Sequence, residues 1–162
     1  MTMGRIMAID YGTKRTGIAV SDSNRIIATP LETVPSHELL KFIQAYAQKE
    51  VVDEFVVGMP KTLGNEDSDI APLVRKFVEN LQKAFPDKTL HLADERFTSS
   101  MALQAMIDGG MKKKDRQVKG NVDKISATII LQAFMDTIKR WWLVVIGYSL
   151  LIRNEQAASN NE

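Results

Sequence analysis

Three short apolar segments follow one another at the start of the chain, with turn residues and no helical pattern between them. They cover residues 5–10, 16–20 and 26–34, and each resembles a buried strand that ends at a polar turn. Pro30 lies within the third segment and predicts an edge strand or a bulge, because proline cannot donate a hydrogen bond to its neighbour. This opening predicts a three-stranded β-meander.

Helix and strand patterns alternate after the meander. Apolar residues recur at helical spacing behind Ser36, a predicted N-cap, and again between Asp67 and Phe85. The elements expected after the meander are a helix to about residue 47, strand 54–58, helix 67–85, strand 89–93, helix 99–108 ending at two glycines, a basic loop 112–120 and helix 122–138. The predicted fold class is therefore α/β, with one mixed five-stranded sheet flanked by helices.

Composition limits the chemistry open to this chain. Its 162 residues suit one domain, and the absence of cysteine excludes disulfides, Cys-based zinc sites and a thiol nucleophile. The 21 basic and 20 acidic residues nearly cancel, so any nucleic-acid partner must be argued from local charge clusters. The N-terminal residues do not resemble a signal peptide, which predicts a cytoplasmic location.

Acidic residues occur where buried elements end. Asp10 closes the first strand, and Asp94 and Glu95 close the fifth. Ligands of α/β sheets bind beyond the carboxyl ends of the strands, so these positions predict a site. Asp123 lies on the inward-facing side of the last helix, in an arc with Ala127 and other apolar residues.

Several carboxylates gathered in one place repel one another, and divalent cations relieve that repulsion. Oxygen ligands without cysteine favour Mg²⁺ or Mn²⁺ over zinc, and two such ions catalyse phosphodiester hydrolysis. Each residue also has a structural explanation: Asp10 could begin a turn, Asp94 could pair with Arg96, and Asp123 could favour a helix start. Taken jointly, the carboxylates predict a metal site.

Basic residues cluster in two places that could contact a phosphate backbone. The first is the turn between Gly12 and Gly17, which carries Lys14 and Arg15. The second is the basic loop, which could instead be an ordinary solvated loop. The predicted nucleic-acid-binding residues are Lys14, Arg15, Arg96, Lys112, Lys113, Lys114, Arg116 and Lys119.

Four motifs, in order, resemble the YqgF/RuvX family, whose members are described as Holliday junction resolvases and as pre-16S rRNA nucleases. They read AIDYGTKRTGIAV from residue 8, VGMP from 57 with Gly64, DERFT from 94 and KGNVDKISA from 119. The resemblance implies an RNase H-like fold related to RuvC and metal-dependent phosphodiester hydrolysis. It also implies a link to ribosome maturation. The family's acidic positions fall on Asp10, on Glu95 with Asp94 beside it, and on Asp123, with Glu95 preferred as the metal-facing residue.

Three alternatives remain open at this stage. Branched DNA could be the substrate instead of rRNA, or the chain could bind nucleic acid without cutting it. An actin-like or sugar-kinase phosphotransferase shares the fold core, but it binds ATP between two such domains, and this chain has room for one.

The resemblance extends to about residue 139, so the domain division is 1–139 for the nuclease and 140–162 for an extension of unknown role. Residues 141–152 are mostly apolar, too few to span a membrane, which needs about 20. The segment could cap the sheet, mediate a dimer or touch a membrane surface. Because a large exposed apolar patch usually marks an interface, a homodimer contact is the preferred prediction.

Overall fold

The computed structural model describes residues 3–60, 69–94 and 98–159, with the backbone alone for 98–100 and 142–159. One five-stranded sheet has the order β3-β2-β1-β4-β5. Its strands are β1 (Arg5–Asp10), β2 (Arg15–Ser21), β3 (Ala28–Pro35), β4 (Val52–Met59) and β5 (Thr89–Asp94). The first three strands pair antiparallel, and β4 and β5 continue the sheet in parallel from β1.

The predicted mixed sheet is thus confirmed, and so is the effect of Pro30. Strand β3 lies at the edge of the sheet, where Pro30 pairs with Ala19 just beyond a shift of register. An edge position and a register irregularity are the two settings that tolerate a strand proline, because no neighbouring strand needs its missing N–H. The sequence therefore determines which strand ends the sheet.

Helices cover both faces of the sheet, and the alternation along β1 separates the two cores. Met7 and Ile9 pack with α1 (Leu39–Ala47) and α2 (Ala71–Ala84), which supply Leu39, Ile43, Val74, Phe77 and Leu81. Ile6 and Ala8 point the other way, against α5 (Lys119–Ser159). We call these the α2 face and the α5 face.

Small residues bring α5 close to its face of the sheet. Ala8 and Ala19 on the sheet and Ala127 on the helix are fully buried there. Side chains of this size let the helix backbone approach the strands closely, whereas the α2 face is filled by larger residues such as Phe55 and Met7. This close approach of the helix backbone to the strands fixes the start of α5 against the sheet.

Helix α3 (Thr98–Asp108) packs on α5 and ends where the glycine pair predicts. Gly110 has φ +74°, its N–H donates to the Ile107 carbonyl, and the Met111 N–H donates to the Met106 carbonyl, both at 3.0 Å. This paired arrangement is the Schellman motif, which needs a left-handed residue that glycine adopts without strain.

The last third of the chain differs from the sequence prediction in two ways. The basic loop contains one helical turn, α4 (Lys113–Arg116), in which the Arg116 N–H donates to the Lys112 carbonyl at 3.1 Å. Helix α5 begins at Lys119 and runs for 41 residues, about 60 Å at 1.5 Å per residue, so its backbone continues without a break across residue 139. Within the part of the chain that is described, no helix has the length and apolar character needed to cross a membrane.

A charged cluster joins the strands at the start of β1. The Gly4 N–H donates to Asp53 Oδ2 at 2.6 Å, which is the leading reason that the pKa of Asp53 lies below 3.8. Glu54 pairs with Arg25 and, at 2.8 Å, with His91 Nε2. These contacts link the β2–β3 turn to β4 and β5, so we call the set the structural cluster.

Candidate active site

Three residues form a row across the meander on the α5 face. Asp10 at the end of β1 pairs with Gly17 of β2, and Gly17 pairs with Thr33 of β3. Directly paired residues project to the same face of a sheet. Asp10 also continues the alternation of Ile6 and Ala8, which pack against α5. The half-buried side chain of Asp10 therefore projects from the face that α5 covers.

The first turn of α5 rests on this row. A Cβ added to Gly17 would lie 2.0 Å from the backbone oxygen of Asp123 and 2.2 Å from its carbonyl carbon, so only glycine fits. Beside it, Thr33 Oγ1 donates to the Gly120 carbonyl at 2.7 Å. These two contacts place Asp123 next to the strand that pairs with Asp10. The structure thus brings together two acidic residues that are far apart in sequence.

Asp123 carries a close ion pair. Arg15 Nε donates to Asp123 Oδ2 at 2.5 Å, and the two side chains are 39% and 25% exposed. Arg15 shares the α5 face with Gly17 and Ala19, because it lies two and four residues before them on β2. Arg15, predicted to bind phosphate, is therefore paired with Asp123, predicted to bind metal.

Asp94 lies on the opposite face of the sheet. It pairs with Met59, which belongs to the α2-face core, and it continues the alternation of Leu90, which packs on the same core. Ala93 packs on the α5 face instead. Asp94 is thus not brought to the face that holds Asp10 and Asp123.

Two predicted site residues, Glu95 and Arg96, lie outside the described residues, so their roles rest on the sequence alone. Within the described ranges, no three acidic or histidine side chains are close enough together to hold a metal ion. Of the described members of the predicted carboxylate set, Asp10 and Asp123 share the α5 face, and Asp94 lies on the α2 face.

An uncommitted buried hydroxyl lies one turn along α5 from Asp123. Ser126 is fully buried, and its Oγ has no hydrogen-bond partner among the described residues. A buried polar atom without a partner costs about 1–3 kcal/mol, which a bound ligand or water recovers. Hard carboxylate oxygens with such a hydroxyl nearby suit a hydrated Mg²⁺ or Mn²⁺.

The turn that carries Lys14 is held by Ser36. The Ser36 hydroxyl donates to the Gly12 carbonyl at 2.6 Å, and its N–H donates to the Lys14 carbonyl at 3.1 Å. The prediction of Ser36 as an N-cap was wrong, since Ser36 begins a 3₁₀ turn (Ser36–Glu38) and Glu38 occupies the N-cap position of α1, with no side-chain capping hydrogen bond. Lys14 is exposed on this fixed turn, where it can meet a phosphate.

The basic segment leads directly into the turn that carries Asp123. Asn121 Nδ2 donates to the Asp115 carbonyl at 2.9 Å and so attaches α4 to the start of α5. Arg116 is half-buried, and the remaining basic side chains are exposed, namely Lys112, Lys113, Lys114 and Lys119. This placement puts positive charge beside the candidate site.

Sequence reasoning missed several residues that build the site. Gly17 gave a weak signal, as a glycine inside a strand pattern, which often marks a close backbone approach. Thr33 gave none, because its partner Gly120 is 87 residues away. Ser126 flanks the inward arc of α5 in the sequence pattern, but its unmet hydrogen bond appears only in the packed structure.

Comparison with known proteins identifies the fold and the family. The structure of T. thermophilus RuvC in complex with a Holliday junction substrate aligns with a TM-score of 0.52 over 83% of this chain and 96% of that one, at 15% identity. The chain therefore has an RNase H-like fold.

The family follows from sequence. A family model described as "RuvX: Holliday junction resolvase" matches residues 4–137, and the chain belongs to this family. A Phocaeicola vulgatus protein named "Putative pre-16S rRNA nuclease" is 54% identical over 137 residues, which are 85% of this chain and 99% of that protein. An Amoebophilus asiaticus protein of the same name is 49% identical over 141 residues, or 87% and 100%.

Proposed function

We propose that this protein is a metal-dependent endonuclease that hydrolyses phosphodiester bonds in structured nucleic acid, with the 5′ end of pre-16S rRNA as its substrate. The observation that carries the proposal is the convergence of Asp10 and Asp123 on one face, through the contact of Gly17 with the start of α5. The names of the relatives support the choice of RNA.

Asp10, Glu95 and Asp123 are the residues that would hold the metal. Glu95 is preferred to Asp94, because Asp94 pairs with Met59 on the α2 face. Bound Mg²⁺ or Mn²⁺ supplies an activated water and stabilises charge on the leaving oxygen. The buried hydroxyl of Ser126, one turn from Asp123, supports the presence of a polar ligand or water in this part of α5, because it has no partner among the described residues.

The basic side chains orient the substrate. Lys14 is exposed on its fixed turn next to Arg15, and the exposed lysines of the α4 segment are close in sequence to the start of α5, to which α4 is attached. Their charges would attract the phosphate backbone and offset the repulsion between the substrate and the acidic site. Arg96, beside the acidic pair, completes the proposed binding set.

A cleavage comparison tests the proposed function. The purified protein is offered a pre-16S rRNA 5′ leader and a four-way DNA junction, each with Mg²⁺, with Mn²⁺ and with a chelator. Metal-dependent cleavage of the RNA alone supports the proposal. Cleavage of the junction alone would establish the DNA activity that the family description names. Binding without cleavage of either substrate would make the protein a nucleic-acid-binding module.

We further propose that residues 140–162 form an extension to a nuclease domain of residues 1–139, and that the extension pairs two copies of the chain. The family match ends at residue 137, and Trp141 is 66% exposed at the start of the apolar run. Deletion from residue 140 should give a soluble, active monomer, measured by light scattering. Aggregation of the shortened protein would assign the segment to the core instead.

A cytoplasmic location of the protein accords with the proposed rRNA processing.

A further inference from the structure

The contact between Arg15 and Asp123 joins two residues that the proposed function uses for different purposes. Asp123 is a metal ligand in that proposal, and Arg15 contacts the nucleic acid. In the structure the guanidinium Nε lies 2.5 Å from Asp123 Oδ2, a short charge-assisted hydrogen bond. The guanidinium charge beside this oxygen, and the lone pair that the hydrogen bond occupies, both weaken its binding of a divalent metal.

Rigid elements hold both partners in place. Asp123 belongs to the turn of α5 that rests on Gly17, and Arg15 lies two residues before Gly17 on β2. The pair is partly exposed, at 39% and 25%, so ions from solvent can reach it. A divalent cation approaching Asp123 would meet the positive charge of Arg15 at the same oxygen, and like charges at this distance repel.

We propose that Arg15 is a resident counter-cation of Asp123, which a divalent metal displaces, and that the released guanidinium then binds a phosphate of the nucleic acid. This inference rests on the proposed function. A guanidinium has five N–H donors in a planar fork that matches a phosphate as well as a carboxylate. Metal and nucleic acid therefore each favour the binding of the other, by the same factor.

Mn²⁺ binding tests the displacement without any cleavage. Free Mn²⁺ is measured by electron paramagnetic resonance during titration of the wild type, Arg15→Gln and Lys14→Gln, at fixed ionic strength. Lys14 is the matched control, because it carries the same charge on the adjacent, exposed position. Arg15→Gln should bind Mn²⁺ at least about fivefold more tightly than the wild type, within the usual range of coupling between sites. Lys14→Gln should change the affinity less than about twofold, since its charge is screened.

The outcomes separate the inference from the proposed function. Equal Mn²⁺ affinity in Arg15→Gln and wild type, or an equal gain in Lys14→Gln, would overturn the counter-cation role while the nuclease proposal stands. Absence of Mn²⁺ binding in every variant would overturn both. Arg15→Lys keeps the positive charge, so its Mn²⁺ affinity should stay close to that of the wild type. Thermal unfolding of each variant verifies that it is folded.

Salt dependence tests the second half of the inference. Binding of a structured RNA oligonucleotide is measured against salt, with and without Ca²⁺ as an oxygen-seeking cation. In the wild type, Ca²⁺ should steepen the slope of log affinity against log salt by about 0.7–0.9, the value of one added phosphate contact. Arg15→Gln should lack this increment, and Lys14→Gln should keep it. An identical slope with and without Ca²⁺ in the wild type would contradict the release of Arg15.

Discussion

The two ends of strand β1 carry charged groups of the same kinds, arranged for different purposes. At its start, Asp53 accepts from the Gly4 N–H and pairs with Arg25 and Lys88, and Glu54 pairs with Arg25 and His91. These contacts tie neighbouring strands and a turn to one another. Such a cluster is already balanced, and its carboxylates need no further cation.

At the end of β1, acidic residues from distant parts of the chain lie on the same face of the sheet. Asp10 comes from the first strand, and Asp123 comes from a helix 113 positions later. Asp123 pairs with Arg15, which is itself partly exposed. Comparison of the two ends teaches that a partly buried carboxylate does not by itself mark a site. Under the proposed function, convergence of carboxylates from distant segments on one face distinguishes the end of β1 from its start.

The largest combined effect on stability and cleavage rate is expected from Gly17→Ala. The new methyl group would overlap the backbone of Asp123, which cannot move without shifting the start of α5. Overpacking of this kind costs about 1–3 kcal/mol of unfolding free energy. A shift of about 1 Å at a catalytic group lowers the rate about 100-fold. Chemical denaturation and the cleavage assay measure the two effects.

Gly120→Ala is the matched control for this prediction. Its Cβ would lie 3.7 Å from Thr33, an ordinary van der Waals contact, within the same helical turn. We expect unchanged activity and equal or slightly higher stability, because alanine is the better helix former. Equal damage from both substitutions would mean that Gly17 is not a specific support for Asp123.

A smaller effect, on substrate binding, is expected from replacing lysines of the basic segment 112–120. Replacement of Lys112, Lys113 and Lys114 by alanine should weaken substrate binding and reduce the salt slope by about 2–3, if each lysine contacts one phosphate. Cleavage of bound substrate should change little. An equal loss of exposed charge is obtained on the α2 side by replacing Lys41, Lys49 and Lys83. If this control flattened the slope as much, the effect would reflect net charge and not a binding surface.

The smallest effect is expected at the structural cluster. The pKa of Asp53 lies below 3.8, first because of the Gly4 N–H and then because of Lys88. A depressed pKa contributes stability that is present above the unfolded value and lost as pH falls through the folded one. Asp53→Asn should therefore lower the unfolding free energy at pH 7 by less than about 1 kcal/mol, since the side chain is 40% exposed.

The difference between Asp53→Asn and the wild type should shrink as the pH falls below 3.8, measured by urea denaturation from pH 7 to 3. Cleavage activity should be unchanged. A loss of cleavage in this variant would remove the distinction between the two ends of β1.

Local patterns allowed the fold to be predicted. Strand and helix periodicities fixed the order of elements, Pro30 indicated the edge strand, and Gly109 with Gly110 indicated the end of α3. The predicted ends of the last helix were wrong. Helix α5 begins at Lys119, and no local feature of the sequence stops it at Ile138. Each of these outcomes depends on residues that are close together in sequence.

The site was predictable only in part, because its contacts are long-range. The inward position of Asp123 follows from helical spacing, but its ion pair with Arg15 joins residues 108 positions apart. The face occupied by Asp94 depends on its register with Met59, which strand alternation alone does not reveal. The resemblance to a family supplied the acidic set that local patterns could only suggest.

Cleavage by Asp10→Asn, set beside Asp94→Asn, tests the central claim most directly. Both substitutions remove one charge at the end of a strand, but the two residues lie on opposite faces of the sheet. The assay contains Mg²⁺ and the nucleic acid that the wild type cleaves. Asp10→Asn and Asp123→Asn should each lose at least about 100-fold in rate, or about 2.7 kcal/mol of transition-state stabilisation. Their double variant should lose less than the product. Asp94→Asn should retain cleavage within about threefold of wild type, a change of less than about 1 kcal/mol. Undiminished Mg²⁺-dependent cleavage by Asp10→Asn would contradict the account.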